Sequence, residues 1–349
     1  MADFILSCES TVDLPYSYVS GRNIPVIFYS YIVDGVSYVD DMERNSDALP
    51  RFYDFIEKGK LPTTSQLNEF LYYDFFKELL QKGDVLHVAF GSGMTPSIRN
   101  AVEAAEKLRA EFPDRKLVII DSLCSCSGYG LLVDLAADLR DEGKSLDEIA
   151  QYLLEARSKV QHQFFSTDMT MFRRSGRVSG AAAMVSTLLG ICPVMCLDDC
   201  GKIVAYDKVR GKKNAIKKLV SEAQKHIQNG ADYDGKFFLS NSNCPELAEE
   251  TKQALEEAFP KLKGKIKMFN IGTIIAFAIF CFLSLRFRHH CRILPRRRQT
   301  LVQIKRLCAC RLTNHKQIVS FPLYHTKPQG GDRETGLRLA GFILFAFYV

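Results

Sequence analysis

Nucleotide-binding motifs are absent from the sequence. Neither G-x-x-x-x-G-K-[ST] nor G-x-G-x-x-G occurs in its 349 residues, so binding of ATP or NAD by a familiar route is disfavoured. Metal-ligand spacing is absent as well, because Cys124 and Cys126 form a C-x-C pair with no second Cys/His pair nearby, whereas closed zinc sites need several ligands at defined spacing. We therefore expect neither a metal nor a cofactor.

Long apolar runs are also missing. The segments "FAIFCFLSL" and "LRLAGFILFAFYV" are each too short to cross about 30 Å of hydrocarbon. The N-terminus carries Asp3, and its apolar stretch is interrupted at Ser7, which does not match the basic start and longer apolar stretch of a secretory signal. A cytoplasmic protein is therefore the expectation.

Acidic residues are scarce in only one part of the chain. Residues 286–349 hold 13 basic and two acidic side chains, whereas residues 1–285 hold 33 basic and 38 acidic ones. The main body is therefore not expected to bind nucleic acid, and only the C-terminal tail has a composition suited to it.

Predicted strands and helices alternate over the first 160 residues. The segments "DFILSCES", "IPVIFYSYIV", "DVLHVAF" and "KLVIIDS" are typical of buried strands, and segments with helical spacing of apolar residues lie between and after them. Asp34-Gly35 within "DGVSYVD" predicts a hairpin. This order predicts an N-terminal α/β domain over residues 1–160, with a parallel sheet covered by helices on both faces.

After about residue 161 the pattern becomes α+β. "CPVMCLDDCGKIVAYDKVRG" predicts a hairpin that turns near Asp199–Gly201, and "KFFLSNS", "CPELAEETKQALEEAFP" and "KIKMFNIGTII" predict a strand, a helix and a strand. We therefore predict an α/β fold of two domains, in which a C-terminal α+β domain with a mixed sheet occupies residues 161–276.

Three polar segments lie where predicted strands end. They are "STVDL" with Ser10, Thr11 and Asp13, "PTTSQ" with Thr63, Thr64, Ser65 and Gln66, and "FGSGMTPS" with Gly91, Ser92, Gly93, Thr95 and Ser97. Hydroxyl and backbone N–H groups near a helix N-terminus suit a carboxylate or another anion. Helix capping explains any one of these segments, but three in one sheet favour a ligand site.

Two basic segments lie in the second half of the chain. Arg173, Arg174 and Arg177 precede the apolar segment "AAAMVSTLLG", which suits a ligand with one charged and one apolar end. Lys208, Arg210, Lys212 and Lys213 form a basic run that suits an acidic partner or a phosphate. For both segments a solvated surface is the alternative interpretation.

Together these motifs resemble the DegV family, the fatty-acid-binding subunits of bacterial fatty acid kinase. The resemblance covers residues 1 to about 276 and rests on "SCESTVDLP", "PTTSQ", "GSGMTPSIRNA", "VIIDS", "FRRSGRVSG" with "LLGICPVM", and "GKIVAYDKVRGKKNAI". It implies a lipid site between the two domains, with one long-chain fatty acid whose carboxylate is held by Thr64 and Ser92. Ser65, Thr95 and Arg174 or Arg177 would be further contacts.

The resemblance also implies a role. The protein would not be a complete enzyme but would present the acyl carboxylate to a separate ATP-binding kinase subunit, which forms the acyl phosphate used in phospholipid synthesis. The run Lys208, Arg210, Lys212 and Lys213 matches the family's K-x-R-G-[RK]-K stretch and is the candidate kinase-docking surface, and transient contact with a membrane surface is compatible with this role. The alternative is an enzyme that acts on an acyl or phosphorylated small molecule through Ser92 and the Arg173–Arg177 cluster.

The sequence departs from the family pattern at three points. Glu9 replaces the usual Asp, and "SGMTPS" replaces the usual "SGLSGT" next to Ser92. Where the family has a turn of the form H-x-G-P-G, this chain continues as "FAIFCFLSLRFRHHCR". Residues 277–349 match nothing in the family, and their composition does not specify a packed domain. A frameshift is our preferred interpretation, and a basic appendage that binds membrane or nucleic acid is the alternative.

Overall fold

The computed structural model describes residues 4–60, 62–167, 178–179, 190–227, 229–280 and 342–348, all of which belong to one compact unit. The strands in these ranges are β1 (Phe4–Glu9), β2 (Val26–Ile27), β3 (Ser30–Val33), β4 (Val36–Val39), β5 (Thr63–Ser65), β6 (Asp84–Ala89), β7 (Leu117–Asp121), β8 (Val160–Ser166), β9 (Val178–Ser179), β10 (Ile191–Leu197), β11 (Ile203–Arg210), β12 (Phe237–Asn241), β13 (Lys267–Asn270) and β14 (Phe342–Tyr348). The helices are α1 (Tyr16–Ser20), α2 (Ala48–Glu57), α3 (Glu69–Leu80), α4 (Ser97–Glu111), α5 (Cys126–Asp141), α6 (Leu146–Ala156), α7 (Lys212–His226), α8 (Pro245–Ala258) and α9 (Thr273–Phe280).

A parallel sheet forms the centre of the first half, in the order β2-β1-β6-β7. Its inner strands are apolar because helices cover them, and Leu6, Val85, Leu86 and Val88 are fully buried. Helix α6 begins with a capping box in which the Ser145 hydroxyl accepts the Glu148 N–H and the Glu148 side chain accepts the Ser145 N–H. The predicted parallel α/β arrangement is therefore confirmed.

The first half of the chain also forms a small antiparallel sheet, in the order β4-β3-β5. The predicted Asp34-Gly35 turn is present, and both residues have positive φ, 50° and 80°, as a two-residue hairpin turn requires. The segment predicted as one strand, "IPVIFYSYIV", is divided between two sheets. It breaks at Phe28–Tyr29 because the Tyr29 N–H donates to the Ser10 hydroxyl instead of to a neighbouring strand.

A seven-stranded mixed sheet forms the second half, in the order β13-β12-β14-β8-β10-β11-β9. Its hairpin β10–β11 turns at residues 198–201, as predicted, with Gly201 at positive φ. Phe165, Val194, Leu219 and Leu255 are fully buried in its core. The predicted mixed sheet is confirmed, whereas a domain boundary at residue 160 remains a prediction.

The structure corrects the expectation for the end of the family-like region. Residues 272–275 were expected to continue a strand from "KIKMFN", but β13 ends at Asn270 and helix α9 begins at Thr273. The helix forms because its first residues are held by two aspartates: Asp13 Oδ1 accepts the Gly272 N–H at 3.0 Å, and Asp40 Oδ1 accepts the Thr273 hydroxyl at 2.9 Å.

The end of the tail also differs from expectation. Residues 277–349 were expected to lie outside the fold, yet β14 lies inside the mixed sheet, antiparallel to both β12 and β8. Leu344, Ala346 and Phe347 are at most 2% exposed, because this short apolar segment is covered on both sides like other central strands. Among the described residues, no helix is both long enough and apolar enough to span a membrane.

Candidate functional site

The carboxyl ends of three parallel strands meet at one edge of the first sheet. Strands β1, β6 and β7 are neighbours, so the segment "STVDL", the loop after β6 and Asp121 all lie at this edge. In α/β sheets, ligands bind outside the carboxyl ends of the strands. The structure therefore brings together two of the three predicted polar segments directly.

The Ser92 loop is held through its backbone. Asp121 Oδ1 accepts the Ser92 N–H and the Leu123 N–H, both at 3.0 Å, and the Gly91 N–H donates to the Cys124 carbonyl at 3.1 Å. Ser92 is exposed, and its hydroxyl has no hydrogen-bond partner among the described residues. The loop thus presents a fixed backbone and an uncommitted hydroxyl.

Two glycines allow a turn of the mixed sheet to pack against this loop. A Cβ on Gly93 would lie 2.3 Å from the Gly201 carbonyl oxygen, and a Cβ on Gly201 would lie 2.7 Å from the Leu123 carbonyl oxygen. Because these neighbours are backbone atoms, no side-chain movement relieves the contact. Glycine is required at both positions for the β10–β11 turn to approach the Ser92 loop.

Thr64 and Ser65 lie on opposite faces of the small sheet. Thr64 is directly opposite Tyr31, which is fully buried, whereas the exposed Ser65 lies opposite Ser30, and their hydroxyls are 3.2 Å apart. The Thr64 hydroxyl has no hydrogen-bond partner among the described residues. Helix α9 packs against β5 and β3, so Thr64 lies at the edge of an apolar layer.

Thr95 is committed to the start of helix α4. Its hydroxyl is 3.1 Å from the Ser97 hydroxyl and 3.3 Å from the Ser97 N–H, which donates to it. Within the described part of the chain, the hydroxyl groups of Thr64 and Ser92 therefore have no hydrogen-bond partner, whereas those of Ser65 and Thr95 contact their own neighbours. Arg173, Arg174 and Arg177 lie outside the described residues.

A buried carboxylate organises the strand ends behind this edge. Glu9 accepts hydrogen bonds from the Tyr72 hydroxyl at 2.6 Å, the Phe90 N–H at 3.1 Å and the Tyr29 hydroxyl at 3.3 Å. Burial, together with the charge of Glu9, raises the pKa of Tyr29 and of Tyr72 well above the usual range. Both phenols therefore remain donors, and Glu9, longer than the usual Asp, reaches three donors at once.

His87 belongs to the same buried group. Its side chain is fully buried, its Nδ1 is hydrogen-bonded to the Ser7 hydroxyl at 3.0 Å, and its Nε2 lies 3.6 Å from Glu9 Oε1. A general base for Ser92 must reach its hydroxyl within hydrogen-bond distance. His87 is engaged in the core and does not supply that base.

His162 fixes the start of helix α5. Its Nε2 accepts the Ser125 N–H at 3.3 Å, and its Nδ1 lies 3.2 Å from the Val160 carbonyl. A Cβ on Gly128 would lie 2.1 Å from Nε2, so the helix needs glycine there. Burial lowers the pKa of His162 to about 4, which keeps the imidazole neutral near the positive end of the helix dipole.

The predicted docking residues lie at the end of β11 and at the start of helix α7. Lys208 and Arg210 lie two residues apart on β11, and Lys212 and Lys213 begin helix α7. All four are exposed, and none has a carboxylate within 4.0 Å among the described residues. Lysines in the first turn of a helix are unfavourable to it by about 0.3–1 kcal/mol each, so these cations are not explained by helix stability.

Several residues that support the carboxyl edge of the parallel sheet are not identifiable from the sequence. The sequence pattern indicates Asp121 only as the end of a strand, and it gives no signal for Asp40 or His162. Their partners are between 29 and 233 residues away in the chain, so no local spacing reveals them. The position of a carboxylate at the carboxyl end of a predicted strand is the signal in the sequence for Asp121.

Comparisons with known proteins agree with this architecture. A family model described as "Uncharacterised protein, DegV family" matches residues 6–279. A DegV domain-containing protein of Clostridium perfringens is 32% identical over 262 residues, which cover 74% of this chain and 89% of the relative.

Two solved structures share the fold. A fatty acid binding DegV family protein from Streptococcus agalactiae has a TM-score of 0.68 at 25% identity, and the match covers 80% of this chain and 95% of that protein. A DegV family protein from Eubacterium eligens, loaded with heptadecanoic acid, has a TM-score of 0.70 at 17% identity, with 99% and 100% covered. The resemblance expected from the motifs is therefore confirmed, and this chain belongs to the DegV family.

Proposed function

We propose that this protein binds one long-chain fatty acid and presents its carboxylate to a separate ATP-dependent kinase subunit. The observation that carries the proposal is the shared family and fold with the Streptococcus agalactiae protein, which binds fatty acid. In the proposal the acyl chain lies between the parallel-sheet part, residues 1–160, and the mixed-sheet part, residues 161–276. The kinase subunit forms the acyl phosphate for phospholipid synthesis in the cytoplasm, and transient contact with a membrane surface allows lipid exchange.

The hydroxyl groups of Thr64 and Ser92 are the proposed carboxylate donors. A carboxylate has acceptors only, so it needs donors that are not already engaged. Thr64 and Ser92 meet that condition, whereas the hydroxyl groups of Ser65 and Thr95 already contact Ser30 and Ser97. The geometry thus favours the first pair, with Ser65 and Thr95 in supporting positions. Arg174 or Arg177 remains a predicted further contact.

The acyl chain supplies most of the proposed affinity. Burial of methylene groups is worth about 0.8 kcal/mol each, so a chain of roughly sixteen carbons needs few polar contacts. Next to Thr64, helix α9 brings Ile274, Ile275 and Ala276, all buried, to the strand that carries the hydroxyl. This places an apolar layer beside a polar donor, as a fatty acid requires.

The basic surface of Lys208, Arg210, Lys212 and Lys213 is the proposed kinase contact. These four exposed cations have no carboxylate partner in the described ranges, and two of them occupy an unfavourable helix position. Such a surface suits an acidic partner. Steering by such charges acts mainly on the rate of association and weakens with salt. Replacement of Lys208 and Arg210 by Glu should slow kinase association, whereas Lys263→Glu, an exposed lysine elsewhere, should not. Equal effects of the two changes would remove this surface from the proposal.

The carboxylate contacts are tested with three variants. Thr64→Val and Ser92→Ala each remove one hydrogen bond to a charged group, worth about 1.5–3 kcal/mol, so acyl-phosphate formation at limiting protein should fall by roughly tenfold or more. Ser37→Ala is the matched control, because this exposed hydroxyl lies on β4, on the face of the small sheet opposite Thr64, and it should retain nearly full activity. Unfolding in urea checks that all three variants fold. Full activity in both Thr64→Val and Ser92→Ala would refute the site assignment.

A further inference from the structure

A small cavity adjoins the start of helix α9, where Gly272 and Thr273 line it, and neither Thr64 nor Ser92 is among its lining residues. It has a volume of about 20 Å³ and is lined by Asp13, Asp40, Asp41 and Glu43, among others. A cavity of this size holds one water-sized group. We call it the aspartate chamber.

Two carboxylate oxygens in the aspartate chamber have no hydrogen-bond partner of good geometry among the residues that the structure describes. Asp13 and Asp40 are 5% and 2% exposed, and each uses Oδ1 to bind the start of α9. Oδ2 of each accepts no hydrogen bond of good geometry from the described residues, although the Cys126 thiol lies near Asp13 and the Ser10 hydroxyl near Asp40. Burial of an ionised carboxylate without a compensating partner is costly. Burial, and then the charge of Asp40, raises the pKa of Asp13, and burial raises the pKa of Asp40 to about 6. The aspartate chamber therefore suits a cation or a hydrogen-bond donor.

A wider groove continues from the aspartate chamber toward solvent. Its volume is about 560 Å³, and Glu43, Leu49 and Asn270 line both spaces. Asp54 and Glu57 of helix α2 line the groove, so carboxylates extend along its length. We call it the α2 groove, and its volume is within the range of small-molecule sites.

No lysine or arginine of the described residues lines either space. Arg44, the nearest cation in sequence, places its guanidinium over the rings of Tyr16 and Phe28 at 4.9 and 4.4 Å. Lys58 pairs with Asp54 at 2.7 Å but does not line the groove. Among the described residues, the carboxyl groups of Asp13, Asp40, Glu43 and Glu57 therefore have no lysine or arginine partner in either space. An ammonium group bound beside Asp13 and Asp40 would favour the ionised form of these two buried carboxyls.

We propose that the aspartate chamber and the α2 groove bind a short linear diamine. One ammonium group enters the chamber and donates to Asp13 Oδ2 and Asp40 Oδ2. The methylene chain passes Leu49 and Pro50, and the second ammonium group lies against Glu57. A metal ion is a poorer occupant, because the described residues contain no group of three His, Cys, Asp or Glu side chains arranged to share one.

The backbone around the α2 groove is compatible with a binding role. Met42, Glu43 and Asn243 have φ of 55°, 62° and 50°, a conformation that non-glycine residues adopt at a cost and that clusters at ligand sites. Glu43 is held by the Asn270 side-chain amide at 3.4 Å, so its carboxylate stays at the junction of the two spaces. This proposal does not depend on the fatty acid site.

The test uses cadaverine as the probe on the full chain. Calorimetric titration and thermal unfolding are measured with cadaverine, with pentylamine, with the neutral diol of the same length, and with magnesium chloride at matched ionic strength. We expect cadaverine to bind and to raise the unfolding temperature, pentylamine to bind more weakly, and the diol and magnesium to have no effect beyond that of salt.

Variants separate a specific site from general charge attraction. Asp40→Asn keeps the side-chain shape and should weaken cadaverine binding by about tenfold or more. Glu57→Gln lies in the open groove, is not expected to affect folding, and should weaken binding by roughly threefold. Glu106→Gln, an exposed acid of helix α4, is the matched control and should bind like the parent.

Three results would overturn the proposal. The first is no binding of cadaverine to the folded parent protein. The second is that Glu57→Gln, Glu106→Gln and the parent bind cadaverine equally, while Asp40→Asn gives no evidence for the site. Asp40→Asn gives none if it fails to fold or if it binds cadaverine like the parent. The third is a response to magnesium that equals the response to cadaverine, which would make the chamber a metal site.

Discussion

Replacement of Phe347 by Ala tests whether the C-terminal strand β14 is part of the fold. Phe347 is fully buried, and its ring stacks on Phe237 with centroids 5.2 Å apart and planes 11° from parallel. The Tyr233 ring meets it edge-on at 6.4 Å. The surrounding sheet cannot collapse easily into the space, because β14 is paired on both sides by β12 and β8.

The expected cost follows from this environment. Phe→Ala changes in packed cores cost about 3–5 kcal/mol, and the stacked partner adds a contribution of about 0.5–1.5 kcal/mol beyond buried area. We expect about 4 kcal/mol, a large part of the roughly 5–15 kcal/mol that stabilises a typical domain. Phe347→Leu keeps most of the buried volume and should cost about 1.5 kcal/mol or less.

Urea unfolding measures both variants against a surface control. Phe70 is 73% exposed, so Phe70→Ala should change the free energy of unfolding by less than about 0.5 kcal/mol. If Phe347→Ala is as mild as Phe70→Ala, β14 does not contribute to the sheet in solution. A frameshift origin of the tail would remain compatible with either result, because packing depends on the residues present and not on their history.

Three further predictions concern the strand edge and its support. The pKa of His162 falls from 6.5 to about 4 on folding, because the folded protein disfavours the protonated imidazole. The free energy of unfolding should therefore be unaffected by this group above pH 6.5 and should decrease by roughly 3 kcal/mol as the pH falls to 4. His162→Gln should abolish this decrease when unfolding is measured as a function of pH. Gly93→Ala puts a methyl group against the Gly201 backbone and should cost about 1–3 kcal/mol in urea unfolding; an unchanged midpoint would contradict the close contact. Tyr72→Phe removes a 2.6 Å donor from buried Glu9 and should cost about 1–3 kcal/mol, while Tyr73→Phe should cost less.

Local patterns were sufficient for most of the secondary structure. The helical spacing of apolar residues predicted the helices, and the alternation of strands with helices predicted the parallel sheet. These features depend on residues close together in the chain, so their physical causes are visible in the sequence. The Asp34-Gly35 turn is readable for the same reason.

The rest of the fold depends on contacts between residues that are far apart in the sequence. The apolar run after Asn270 suits a strand or a helix equally, and the choice was made by Asp13 and Asp40, which lie more than 200 residues earlier and hold Gly272 and Thr273. Strand β14 follows a long basic segment, and the amino-acid composition of that segment does not predict a folded element. It pairs because β12 and β8 leave a place for an apolar strand between them.

The candidate site was predictable in type but not in arrangement. Hydroxyl-rich segments after strands indicated Thr64 and Ser92, and the family resemblance ranked them first. Whether each hydroxyl is engaged depends on the sheet face and on the neighbours, as the opposite orientation of Thr64 and Ser65 illustrates. The role of Arg174 and Arg177 remains a prediction.

Native mass spectrometry of the full-length protein tests the central proposal most directly. The full chain is needed because a chain that stops at Ala276 lacks β14, the strand that pairs with both β12 and β8. We predict a single long-chain fatty acid bound to each chain, released on denaturation and lost or reduced in Thr64→Val and Ser92→Ala. A folded protein that carries no fatty acid as purified, and takes up none when one is supplied, would contradict the proposed function.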